Sequence, residues 1–298
     1  MDYHIPVMLH ECVDGLQIKS NGVYVDVTFG GGGHSREILK RLGDDGRLFG
    51  LDRDDEALAN SWNDKRLKVI QTNYKNMKRF LRLEGITKVD GILADLGVSS
   101  HQLDAPERGF SFRFDEALDM RMDRKQVLSA FTVVNEYDVK RLQNILGFYG
   151  EVRNARTLAN RIVEARKEGI IKTTGEFRSA IKSCIKGPEN KYLAKVFQAI
   201  RIEVNGELEA VKQFLTQSLD ILNEGGRIVV MSYHSLEDRL VKNFFKKGVF
   251  EGEPEKDMFG RYEHHLKEIT KKPLGASEAE IKENPRARSA RLRIAEKI

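Results

Sequence analysis

Apolar and polar positions follow a repeating order along the first hundred residues. Val23-Tyr24-Val25-Asp26-Val27 is a short β-type run, and so are Arg47–Asp52, Leu67–Gln71 and Val89–Ala94. Helical patterns separate these runs. Gly30 to Gly33 form a loop after the first, and Ser35 is placed to cap a helix that reaches about Leu42. A second helix begins near Asp55 and a third follows Tyr74. Strands alternating with helices in this way predict a parallel sheet covered on both faces.

The order then breaks. From Asp104 to about Tyr192 no strongly apolar strand occurs, and helical spacing dominates, as in Val139, Leu142, Ile145 and Leu146. A long stripe follows from Phe197 through Ile200, Val204, Leu208, Val211, Leu215 and Leu219 to Leu222, in helical steps of three and four. Asn205-Gly206 lies inside it and predicts a kink or a split, because glycine weakens a helix by about 1 kcal/mol relative to alanine. After Gly225-Gly226 the run Arg227–Tyr233 is a fifth strand, Asp238–Lys247 a helix, and Leu266–Thr270 and Ala290–Ala295 two late strands. The simplest architecture is one α/β domain, residues 1–104 and 201–298, interrupted by a helical insertion at 105–200.

Composition narrows the class. Of 298 residues 40% are hydrophobic and 32% charged, an ordinary globular balance that argues against disorder. Two cysteines, Cys12 and Cys184, exclude a disulfide scaffold and a cysteine-based zinc site. The N-terminal residues lack a basic region followed by an apolar run, so no signal peptide is expected. No apolar stretch approaches the ~20 residues of a membrane span. A cytoplasmic setting is the expectation. Net charge is +5, with a pI near 9.0, which permits a nucleic-acid partner without requiring one. Its distribution says more: residues 105–200 carry 18 Lys and Arg against 12 Asp and Glu, so the whole excess belongs to the insertion. A nucleic-acid partner would be expected to meet that part of the chain.

The candidate chemistry gathers at the glycine loop. Open α/β sheets bind nucleotides outside the carboxyl ends of their strands, and glycines let the backbone turn sharply beside a ligand. A dinucleotide fingerprint would place a third glycine where Ser35 stands. Asp52 ends the second strand, where a carboxylate accepts hydrogen bonds from ribose hydroxyls; as a helix N-cap, Asp54 or Asp55 is better placed. Asp26 inside the first strand and Asp95 at the end of the fourth bring further negative charge to the same edge. Three acids repel a pyrophosphate and attract a cation, which favours S-adenosylmethionine, with its ammonium and sulfonium, over a nicotinamide cofactor. Tyr74 is placed either against the adenine or in the core. His264-His265 lacks partners at metal-ligand spacing, and no metal is assigned.

Here the chain resembles a known family. Thr28-Phe29-Gly30-Gly31-Gly32-Gly33-His34-Ser35, Asp90–Ser100, Glu107-Arg108-Gly109-Phe110-Ser111-Phe112, Phe197–Asn205, Ser232–Arg239 and Asn284–Ala290 are similar in type and order to the ribosomal RNA small subunit methyltransferase H family. That resemblance implies a Rossmann-like methyltransferase sheet, S-adenosylmethionine as donor, and methylation of N4 of a cytosine in 16S rRNA within the small ribosomal subunit. It also implies donor contacts at Gly32, Gly33, His34, Asp52, Tyr74, Asp95 and Gln102.

The exocyclic N4 of cytosine is a poor nucleophile, because its lone pair is delocalised into the ring. Transfer therefore needs positioning and an acceptor for the departing proton. Asp95 and His234 are the candidates, although a structural hydrogen bond is the favoured role of His234. Tyr233, Phe110 and Phe112 are candidates to stack on the base, and Arg108 to meet phosphate; a buried anchor is the competing reading of the Arg108–Phe112 run. Arg286 and Arg288 are further phosphate candidates, whereas Arg291 and Arg293 alternate along one strand face. Two other readings stay open, a NAD-dependent oxidoreductase and a non-catalytic RNA-binding or ribosome assembly factor.

Overall fold

The structure, a computed structural model, describes residues 6–98 and 106–298. Its centre is a seven-stranded sheet of β1 (Val23–Asp26), β2 (Arg47–Asp52), β3 (Leu67–Gln71), β4 (Val89–Asp95), β5 (Leu222–Ser232), β6 (Leu266–Glu268) and β7 (Arg291–Lys297). The strand order is β3-β2-β1-β4-β5-β7-β6. The first five are parallel, while β7 runs antiparallel to both β5 and β6.

Neighbouring residues along each strand enter opposite cores, as a period of two demands. Tyr24, Leu48, Leu93 and Val229 pack with α1 (Leu9–Gly15) and α2 (Gly33–Arg41) through Cys12, Val13, Ile38 and Leu39. Val25, Phe49, Ile92 and Ile228 pack on the other face, with Met77 and Leu81 of α4 (Met77–Leu83). Such two-sided burial explains why these strands are continuous apolar runs. A short α3 (Asp55–Leu58) links β2 to β3.

Contacts divide the chain into Met1–Gly97 with Leu208–Ile298, and Val98–Glu207. The sequence pattern set these borders at 104 and 200. The second border moves because α9 (Glu189–Asn205) does not stop at 200: Ile200 and Val204 belong to the core of the inserted unit. The chain breaks at Gly206, whose φ of 57° suits glycine, and α10 (Glu207–Ile221) starts beyond it. Asn205-Gly206 thus splits the stripe. The inserted unit is helical, with α5 (Ala130–Glu136), α6 (Val139–Phe148), α7 (Ala155–Glu168), α8 (Thr174–Ile181) and α9 around one apolar core. Ser129, Asp138 and Thr173 cap three of them, Thr173 in a full capping box with Glu176.

Other details depart from the pattern. No period revealed α1. Ser35 does not cap α2, whose N-cap is Gly32; its hydroxyl turns back to the sheet. β5 starts at Leu222 rather than Arg227, with a register skip between Val89 and Gly91 of its neighbour. The helix after β5, α11 (Ser235–Lys247), starts three residues earlier than predicted, with His234 as its cap.

Arg291 and Arg293 do share one strand face, and both meet Asp238 of α11. Arg293 lies 2.7 Å from Oδ1 and Arg291 3.1 Å from Oδ2, with the Arg293 side chain only 5% exposed. Removing the carboxylate leaves a buried cation unpaired, which costs several kcal/mol. Asp238→Ala is expected to lower the unfolding free energy at pH 7 by about 3 kcal/mol, measured by urea denaturation.

Candidate active site at the carboxyl edge of the sheet

The carboxyl ends of β1, β2, β4 and β5 bring Asp26, Asp52, Asp95 and Tyr233 to one edge of the sheet. Asp26 is 1% exposed. Its Oδ1 accepts from the Thr28 N–H at 3.1 Å, and its Oδ2 from the Ser35 hydroxyl at 2.7 Å. Both oxygens bond the loop, and the carboxylate is closed off from solvent. This corrects the sequence reading, in which Asp26 faced a cationic ligand: it holds the loop to the strand instead. Thr28 passes the restraint on, because its hydroxyl accepts from the Asp95 N–H at 2.7 Å.

Protein side chains take the space that the glycines leave. A Cβ on Gly32, where φ is 73°, would stand 2.6 Å from the Trp62 ring, and one on Gly33 2.1 Å from Pro6 Cγ. Trp62 stacks on Phe29 at 5.8 Å, and the Arg36 guanidinium lies 3.8 Å from its ring centre. This cover was not foreseeable, since Trp62 sits in a polar stretch without a period. Beneath it, the first N–H groups of α2 have no partner within the helix.

Asp52 is half-buried. It accepts from the Gly30 N–H at 2.8 Å and from the Asp54 N–H at 2.9 Å. Burial still pushes its carboxyl up to about 6. Asp95 is pushed to about 6 by burial as well; the His34 ring and the Tyr233 hydroxyl draw it down, and Asp26 and Glu237 add to the rise. The Tyr233 hydroxyl and the Asp95 carboxyl interact and perturb each other's titration, whereas Oδ1 of that carboxyl is buried and has no hydrogen-bonding partner among the described residues. A buried acceptor without a donor is costly, and it marks the point where a ligand completes the structure.

His34 is buried, and its Nε2 lies 3.2 Å from the Val7 carbonyl. Burial lowers its pKa, so the ring is neutral and Nε2–H donates to that carbonyl. Tyr74 is half-buried, edge-on to Phe214 at 5.7 Å. Gln102 lies outside the described residues.

His234 has a structural role through one nitrogen. Nδ1 accepts from the Glu237 N–H at 3.4 Å, capping α11. Nε2 stands 3.1 Å from Glu237 Oε1 but is buried without a hydrogen-bonding partner among the described residues, so His234 stays among the candidate bases. The Glu237 carboxylate accepts from the Tyr233 N–H at 3.1 Å and so fixes the strand end beside Asp95.

Two expected base-stacking residues and their arginine are corrected. Arg108 is 3% exposed and donates to the Arg121 carbonyl at 3.1 Å. Phe110 is 6% exposed in the core of the inserted unit. Phe112 packs against that core, edge-on to Phe197 at 5.5 Å. This run anchors the inserted unit, because its rings are its apolar payload and the guanidinium satisfies chain carbonyls. Arg286 and Arg288 are exposed, on a short 3₁₀ turn, Pro285–Ser289, that leads into β7.

Five parallel strands in the order 3-2-1-4-5, extended by an antiparallel β7 between β5 and β6, with carboxylates at the strand ends, define the class: a Rossmann-like methyltransferase fold. The sequence model of the MraW methylase family matches residues 1–298, and this chain belongs to that family. It is 58% identical over 301 residues to the ribosomal RNA small subunit methyltransferase H of Flavobacterium johnsoniae, covering 100% of this chain and 99% of that protein. The protein of the same name from Bacteroides thetaiotaomicron is 53% identical over 298 residues, covering 100% and 98%.

A raised carboxyl pKa is a cost to the folded state. For Asp95 the cost is absent below its unfolded value near 4, appears as pH rises and is complete above about 6. Asp95→Asn is therefore expected to stabilise the protein by about 2 kcal/mol at pH 8, and the gain should vanish near pH 4. Chemical denaturation at the two pH values measures both.

Proposed function

We propose that this chain is an S-adenosylmethionine-dependent methyltransferase that methylates N4 of a cytosine in 16S rRNA. The observation that carries this reading is the unpartnered, buried Oδ1 of Asp95 beside a glycine loop and a second carboxylate. The names of the full-length relatives support the small-subunit RNA as substrate.

The residues fit the donor. Asp52 keeps lone pairs for ribose hydroxyls after accepting from two N–H groups, and Tyr74, a half-buried ring just after β3, is the aromatic residue to meet the adenine. When bound, S-adenosylmethionine supplies a methyl group on a cationic sulfur. The ionised carboxylates favour that cation, whereas they oppose the pyrophosphate of a nicotinamide cofactor. Asp95 acts on the acceptor. Its free oxygen takes a hydrogen bond from N4–H, which draws electron density onto the nitrogen and later receives the proton. Tyr233, whose hydroxyl interacts with that carboxyl, is a positioning residue for Asp95. No helix among the described residues is long and apolar enough to cross a membrane.

Labelled methyl transfer to small subunits lacking the modification, with N4-methylcytidine read by mass spectrometry, tests the reading; absence of that product overturns it. Asp95→Asn should lower kcat by about 100-fold or more, whereas Asp52→Asn should raise the donor KM and leave kcat nearly unchanged. Because both carboxyls titrate near 6, kcat/KM should fall as pH drops below about 6.

A further inference from the structure

The arginine and aromatics expected to grip RNA are buried, yet the inserted unit carries the basic excess. Its cations gather elsewhere. Asn154, just before α7, donates to the Cys184 carbonyl at 2.9 Å and accepts from the Tyr192 hydroxyl at 3.1 Å. One side chain thus ties together the start of α7, the turn after α8 and the first turn of α9. Each tied segment presents two exposed cations: Arg153 and Arg156, Lys182 and Lys186, Lys191 and Lys195. Lys191 and Lys195 are four apart on α9 and share a face, and Lys195 reaches the Glu151 carbonyl at 3.5 Å, which turns that face toward α7.

Few negative charges answer them. Glu189 is held by Arg178 at 2.7 Å, which leaves Glu151 as the other carboxylate in these segments. The acids of α7, Glu164 and Glu168, stand about 12 Å or more along the helix from Arg156, beyond a physiological Debye length of about 8 Å. Among the described residues, none of Arg153, Arg156, Lys182, Lys186 and Lys191 forms an ion pair.

We propose that this face, built around Asn154, is the docking surface for the sugar–phosphate backbone of the RNA substrate. The inference rests on the rRNA reading above and adds where the polyanion lies. Six cations on three mutually tied segments form a preorganised field, whereas six on loose loops would lose the entropy of ordering on binding. The chemistry is that of phosphate contact: it positions the RNA without reading its sequence. Within the three cationic segments the one aromatic ring, Tyr192, is buried, so specificity for the base is assigned to the carboxyl edge of the sheet.

The test replaces Lys182, Lys186, Lys191 and Lys195 by alanine in the full chain. A control of equal charge change replaces Lys242, Lys256, Lys271 and Lys272, which are exposed on the sheet unit. Binding to the rRNA substrate is titrated against salt, with melting temperature and donor affinity measured alongside. Each lost phosphate contact should flatten the slope of log affinity against log salt by about 0.7–0.9, or about 3 for the four together. KM for the substrate should rise at least tenfold at physiological salt, with donor affinity and melting temperature unchanged. A slope equal to that of the control overturns the proposal. So does weaker binding to whole subunits with an unchanged slope on isolated rRNA, which would assign the face to a ribosomal protein. Arg153→Glu and Arg156→Glu, singly, check the same face should the fourfold variant misfold. If the wild-type chain transferred no methyl group, the functional reading would fail; the salt titration would still judge the face.

Discussion

The hydrogen bonds that Asp26 accepts are the restraint on which the carboxyl edge of the sheet depends. Its two oxygens fasten Thr28 and Ser35, one on each side of the glycines. Thr28 in turn fastens the main chain at Asp95. A buried carboxylate is expensive, and here its hydrogen bonds partly offset that expense while fixing the loop that must lie beside a ligand. Asp52 differs from it in being only half-buried, and Asp95 in having an oxygen without a hydrogen-bonding partner among the described residues. The same edge thus holds one acid that builds and two that remain able to bind.

Much of the sheet was legible because its physics is local. β1 to β4 are short apolar runs between helices, and a crossover helix between parallel strands leaves little choice of topology. The antiparallel insertion of β7 between β5 and β6 was not legible, since a strand's partner depends on contacts far apart in sequence. α1 escaped notice because its seven residues are too short to show a period. At the site, the residue types and strand ends were legible, but their allotment was not. Asp26, Asp52 and Asp95 look alike in sequence; only the donors around them divide their roles. The cap that His234 forms through Nδ1 was not legible, because its partner Glu237 lies three residues on, a spacing that a capping residue shares with many other pairs.

The Arg108–Phe112 run shows why alternating cations and rings are ambiguous. The same composition suits a nucleic-acid surface and a buried anchor, because a guanidinium satisfies either phosphates or chain carbonyls. In this chain the carbonyls of Arg121 and Met122 take it. Charge counted over the whole insertion remained informative where the individual motif misled. The inserted unit also has its own apolar core, so its surface can vary in charge without disturbing the sheet that carries the carboxylates.

The place of β7 in the sheet bears on how the chain is made. Among the described residues β6 pairs with β7 alone, and β5 has an unpaired edge until β7 arrives. The Arg293–Asp238 pair and the bonds from Lys297 to the Leu219 and Leu222 carbonyls wait for the same segment. A ribosome extending this chain therefore releases β1 to β5 well before the strand that seals them. During that interval the growing polypeptide exposes a sticky β edge, and its assembly is gated by the arrival of a handful of late residues rather than by the bulk of its sequence.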